Sequence, residues 1–115
     1  MAEFYTKLFV QIDIALQELL QLVANTCSGN IDVVTIEVDK IEIDIMKNES
    51  APTISDPNDF MSYPYTAEVV NIEDMSLESY LEFTGSLMKN LNSNGAKVVA
   101  ACDWEDKLPG HGKLE

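Results

Sequence analysis

Hydrophobic and polar positions alternate cleanly near the start of the chain. Phe4, Thr6, Leu8, Val10 and Ile12 share one parity, and Tyr5, Lys7, Phe9 and Gln11 share the other. A period of two predicts a strand with one core face and one more polar face. From Ile14 the period changes: Leu16, Leu19, Leu20, Val23 and Cys27 recur at spacings of three and four residues, which predicts a helix. Asp13 reads as the N-cap of that helix, and Gly29 as its left-handed C-terminal cap.

Alternation returns from Asp32 to Met46 but changes phase at Asp39-Lys40. Val34, Ile36 and Val38 are even, whereas Ile41, Ile43 and Ile45 are odd. One extra residue there, a bulge, would put both sets on the same face of a single long bent strand. A tight hairpin is disfavoured, because neither residue is Gly or Asn. Asn48 to Asp59, with Pro52 and Pro57, reads as one long loop of a kind that often carries function. Phe60 to Ile72 returns to strand character, with Pro64 marking an edge or the strand start.

Ser76 predicts a second helix entry. Leu77, Tyr80, Leu81, Leu87, Met88 and Leu91 form its apolar stripe, and Gly85 within it suits a close approach to the sheet. Asn92 to Gly95 closes the helix. The last ordered stretch, Ala96 to Pro109, then reads AKVVAACDWEDKLP. Val98, Ala100, Cys102 and Trp104 would face the core, and Lys97, Val99, Ala101 and Asp103 the other side.

The order β-α-β-β-α-β predicts a ferredoxin-like α+β domain: two helices on one face of a four-strand antiparallel sheet. The first and third strands would be central, and the second and last at the edges. Val10, Leu19, Leu20, Val23, Leu81, Leu87 and Val98 are the predicted core. Residues 1–109 form the single domain. Residues 110–115 are read as a flexible tail, with Leu114-Glu115 matching a dipeptide that expression vectors leave before a purification tag.

Charge changes the picture more than any motif. Twenty acidic residues face seven lysines and no arginine, a formal net charge of −13. Phosphate backbones and anionic lipids attract Lys and Arg, so nucleic acid and membrane surfaces are excluded as partners. A basic protein is the complementary class. No segment is long and apolar enough to span a bilayer, and the N-terminus lacks a secretory signal pattern, which together predict a cytoplasmic protein. Cys27 and Cys102 sit in apolar patterns and read as buried, reduced thiols.

Catalysis finds little footing. The single histidine, His111, lies in the tail, which removes Ser-His and Cys-His arrangements. No glycine-rich phosphate loop is present. The reading is therefore a non-enzyme without a cofactor. The helix-free sheet face would display Tyr5, Lys7, Phe9, Gln11, Glu42, Asp44, Met46, Thr66, Glu68, Val70, Val99, Ala101 and Asp103. Glu42, Asp44, Glu68 and Asp103 are the candidate contacts for a basic partner, with Phe9 as an apolar centre. Trp104, among Asp103, Glu105 and Asp106, is either an interface anchor or a cap on the core.

A small acidic domain of this element order, ending VVAACDWEDKLP, resembles bacterial immunity proteins of polymorphic-toxin systems. The resemblance implies a non-catalytic inhibitor that binds a basic toxin domain tightly, and it carries over no individual site residue. Two other readings stand beside it. One is a small-molecule-sensing regulatory domain acting as a homodimer. The other is a metal-dependent protein using Glu42, Asp44, Glu68 and Asp103, since carboxylates alone suit Mg²⁺ or Ca²⁺.

Overall fold

The computed structural model describes residues 2–48 and 60–115. The long loop read at Asn48 to Asp59 therefore lies, apart from Asn48, outside the described residues. Two helices, α1 (Leu16–Cys27) and α2 (Leu77–Ser93), accompany one antiparallel sheet. Its strands are β1 (Tyr5–Gln11), β2 (Asn30–Asp32), β3 (Thr35–Val38), β4 (Ile41–Lys47), β5 (Tyr65–Asn71), β6 (Lys97–Ala101) and β7 (Lys113–Leu114). They lie in the order β2-β3-β4-β5-β1-β6-β7. The sheet thus has seven strands rather than four. β4 and β6 are interior, and the short β2 and β7 form the edges.

The extra strands on one side come from the phase change at Asp39-Lys40. It marks a two-residue hairpin and not a bulge, because Val38 pairs with Ile41, Ile36 with Ile43, and Thr35 with Asp44. Across a two-residue turn, paired positions always sum to an odd number, so even residues of one strand share a face with odd residues of the next. Asp39 adopts a left-handed φ of 49°, which Asp tolerates better than most residues because its short side chain bonds locally. A second turn of the same length, at Val33-Val34, sets Asp32 opposite Thr35 and Ile31 opposite Ile36. Val33 also has positive φ, 58°.

On the other side, Lys113 pairs with Val99 and Leu114 with Val98. Residues expected in a flexible tail so extend the sheet, and Leu114 packs against the main core.

Several boundaries shift for local reasons. α1 begins at Ala15 as N-cap, not Asp13, and Ala15 offers no capping side chain. The Ile14 carbonyl instead accepts a hydrogen bond from the Tyr65 hydroxyl at 2.5 Å, which holds the approach outside the helix. At the other end Ser28, φ 56°, is the left-handed residue. Gly29 serves a different need: a Cβ there would lie 2.5 Å from Ile36 Cγ2 and 2.6 Å from Val38 Cγ2. The strand after the loop begins at Tyr65, past Pro64, and Phe60–Ser62 is a short 3-10 turn. Ser76 caps α2 as expected, accepting from the Ser79 N–H at 3.1 Å. Gly85 approaches Pro109, not the sheet.

The helices cover one face. Leu8, Val10, Ile36, Ile43, Ile45, Val69 and Val98 meet Leu19, Leu20, Val23, Leu87, Met88 and Leu91 there, and all are buried. Leu81, expected in the core, is only partly buried at its margin. At the centre stands Tyr80, fully buried. Its hydroxyl is 2.6 Å from the Val69 carbonyl and 2.8 Å from Thr6 Oγ1. A phenol has one proton, and the carbonyl can only accept. Tyr80 therefore donates to Val69 and accepts from Thr6. The Trp104 indole N–H donates in turn to Thr6 Oγ1 at 3.2 Å.

Candidate functional site

Among the described residues the opposite face of the sheet carries no α-helix, and register places the candidate residues on it row by row. One row runs Ala101, Lys7, Glu68, Asp44, Thr35 and Asp32 across β6, β1, β5, β4, β3 and β2. The next runs Tyr5, Val70, Glu42, Glu37 and Asn30 across β1, β5, β4, β3 and β2. Five carboxylates, those of Asp32, Glu37, Glu42, Asp44 and Glu68, thus gather on the β2–β5 half of the face. Asp44 stands directly opposite Glu68, and Glu37 directly opposite Glu42.

Like charges placed directly opposite destabilise a sheet, so the partners of these groups matter. They are hydroxyls. Thr35 Oγ1 donates to Asp44 Oδ1 at 2.5 Å, and Tyr5 Oη donates to Glu68 Oε1 at 3.0 Å. Burial raises the Tyr5 phenol above its ordinary value, and the neighbouring Glu68 carboxylate adds to the rise. Lys7, although opposite Glu68 in the ladder, extends its ammonium over the Phe9 ring, 5.3 Å from the centroid. Among the described residues, the one ion pair is the exposed Lys113–Glu115 contact at 3.1 Å. No described lysine pairs with any of the five.

The other half of this face is covered rather than open. Phe9 is 8% exposed and forms a small second core with Tyr63 and Val99. Phe60 lies edge-on to Phe9, ring centroids 5.1 Å apart. Asn48 clamps the covering segment: its side-chain amide donates to the Met61 and Tyr63 carbonyls, each at 2.9 Å, and its backbone N–H donates to the Pro64 carbonyl at 2.8 Å. Thr66, expected on an open surface, is buried in consequence.

Glu42, Asp44 and Glu68 are therefore brought together, and Phe9 sits beside them beneath Phe60. Asp103 and Trp104 lie elsewhere. β6 ends at Ala101, and the chain turns through Cys102 and Asp103 before a 3-10 turn at Glu105–Lys107. Asp103 is exposed in that turn, off the sheet face. Trp104 packs on the helix side, edge-on to Phe4 at 5.7 Å and to Tyr80 at 5.9 Å. The four carboxylates considered for a metal are thus split. Among the described residues no three His, Cys, Asp or Glu side chains are placed to hold an ion.

Asp32 and Glu37 were not singled out in the sequence. The two-residue hairpins that carry them onto this face were hidden behind the bulge interpretation. Asn48, at the loop boundary, carried no readable signal.

Both cysteines are free and partly buried, and burial pushes each thiol above its ordinary value. Among the described residues no helix is long and apolar enough to cross a membrane. No family model, curated protein or solved structure matches the chain.

Proposed function

We propose that the chain is a non-catalytic binding module whose helix-free face receives a basic protein, in the manner of an immunity protein that neutralises a basic toxin domain. The observation that carries the reading is the array of Asp32, Glu37, Glu42, Asp44 and Glu68, held by backbone register and solvated without a paired described lysine. Such an array keeps like charges side by side at a cost in stability, and a partner's lysines and arginines would repay that cost on binding. The exposed Tyr5 and Met46 supply apolar contact beside the charges, and aromatic residues and Met are enriched at interfaces. The hydroxyl bonds from Thr35 and Tyr5 hold two of the carboxylates in place, which limits the side-chain ordering lost on association.

The test is a double substitution, Glu42→Lys with Asp44→Lys. Both side chains point away from the main core, so circular dichroism should remain native. Immobilised wild-type protein should capture a basic partner from the native host, and the double variant should not. For the captured partner, affinity and association rate should fall steeply with added salt. Equal capture by both proteins, with the fold intact, would remove this face as the site.

A further inference from the structure

A concave feature lies on the helix side of the sheet, away from the acidic array. The β3–β4 hairpin carries the sheet past the end of α1, and no described residue fills the space between that hairpin, the end of α1 and α2. It forms a cleft of about 480 Å³, within the range of roughly 300–1,000 Å³ typical of small-molecule sites. Its apolar lining includes Cys27, Ile41, Phe83 and Leu87.

Seven of the thirteen lining residues are polar, and the charged ones among them are biased toward the acidic. Asp39 and Lys40 come from the hairpin turn, and Glu82 from α2, so two carboxylates stand against one ammonium. None of the three makes an ion pair among the described residues. The α2 residues Ser79, Glu82, Phe83, Ser86, Leu87 and Asn90 line one wall. Their spacings of three and four put them on one helix face. That face adjoins the buried stripe of Tyr80, Thr84, Leu87, Met88 and Leu91 and shares Leu87 with it. On this face Phe83 and Leu87 supply the apolar surface, whereas Ser79, Glu82, Ser86 and Asn90 are polar and exposed.

We infer that this cleft is a binding site for a small, largely apolar molecule that carries no anionic group. The apolar residues of the lining, Val38, Ile41, Phe83 and Leu87 among them, supply burial energy. Asp39 and Glu82 select against a carboxylate, sulfonate or phosphate, because an anion would give up its hydration to face a net negative lining. The inference is independent of the acidic face, since the two sites lie on opposite sides of the sheet and share no residue.

Two fluorescent probes with the same aromatic body separate the possibilities. N-phenyl-1-naphthylamine is neutral, and 1-anilinonaphthalene-8-sulfonate adds one sulfonate. The neutral probe should bind the full chain with one molecule per protein, and the sulfonate at least about tenfold more weakly. Ser86→Trp should fill the cleft from an exposed helix position and abolish binding of the neutral probe while leaving the circular dichroism unchanged. Bound probe should also slow alkylation of Cys27, which lines the cleft, and leave Cys102, which does not, unaffected. Absence of neutral-probe binding, equal binding of the sulfonate, or undiminished binding to a folded Ser86→Trp variant would each overturn the assignment. Should Ser86→Trp fail to fold, the Cys27 protection measured on the wild-type chain decides alone.

Discussion

Asp44 and Glu68 face each other directly across β4 and β5, and each is held by a hydroxyl in place of a cation, Thr35 for the first and Tyr5 for the second. The pair keeps its hydrogen bonds and its repulsion together. Directly opposed like charges cost roughly 0.2–1 kcal/mol. Asp44→Asn retains an acceptor for Thr35 and removes one charge. It should raise stability in urea by about that amount at low salt, and the gain should shrink as salt screens the pair. A gain that does not depend on salt would point to packing and not to charge.

Gly29 and Ser28 should respond in opposite directions. Gly29→Ala drives a Cβ into Ile36 and Val38, and overpacking of this kind costs about 1–3 kcal/mol. Ser28→Gly places a residue suited to left-handed geometry at φ 56° and should gain up to about 1 kcal/mol. Urea midpoints of the two variants, each measured against wild type, check both signs. A neutral Gly29→Ala would mean that β3 moves away from α1 at little cost.

Tyr80 makes stability depend on alkaline pH. Burial pushes its phenol up to about 12, from an ordinary value of 10.0. The unfolded chain releases this proton first as pH rises, so between the two values the folded state binds more protons and stability falls. Below pH 10 the contribution is complete; it is lost progressively toward pH 12. Tyr80→Phe should reduce that slope, leaving what Tyr5, Tyr63, Cys27 and Cys102 add, since burial raises all four. At neutral pH the same variant should cost about 1–3 kcal/mol, because the Val69 carbonyl loses its phenol donor and the Thr6 hydroxyl its acceptor. Urea unfolding across the alkaline range measures both effects.

Val33 is a β-branched residue at φ 58°, and it is 81% exposed at a hairpin tip. Left-handed geometry costs such a residue roughly 1–2 kcal/mol, and no packing offsets it here. Val33→Gly or Val33→Asn should raise the thermal midpoint. A lowered midpoint in both variants would mean that the valine side chain stabilises the hairpin by more than its backbone geometry costs.

The two thiols should label slowly at neutral pH and rapidly once the chain is unfolded in urea, because burial disfavours the thiolate in both. Fast native labelling of Cys102 would place it outside the packing around Trp104.

Local pattern was a good guide where a single side chain decides the geometry. Ser76 has the oxygen that caps α2, Pro64 cannot donate to a ladder, and both were readable for that reason. The parity of Val34, Ile36 and Val38 against Ile41, Ile43 and Ile45 was also visible. A bulge and a two-residue turn produce the same parity change, however. Only the pairing of Ile36 with Ile43 separates them, and pairing is a tertiary fact. The preference for Gly or Asn in such turns pointed the wrong way, because Asp39 accepts the left-handed conformation. In the candidate site, Glu42, Asp44 and Glu68 followed from alternation. The cover over Phe9 did not, since it depends on Asn48 anchoring a segment whose own sequence, FMSY, reads as strand.

β1 sits between β5 and β6, so neither of its neighbours is close in sequence: Val10 is paired with Tyr65 on one side and Val98 on the other. The α1 helix and the β2–β4 meander are built from adjacent residues and can assemble soon after they are made. β1 cannot. During synthesis at about 5–20 residues per second, roughly ninety residues must follow Val10 before its second edge is covered, an interval of several seconds. Through that interval an apolar strand with an unpaired edge is available to any other nascent chain nearby. High local expression should therefore favour inclusion bodies over soluble protein, and slower translation or lower temperature should reverse the balance.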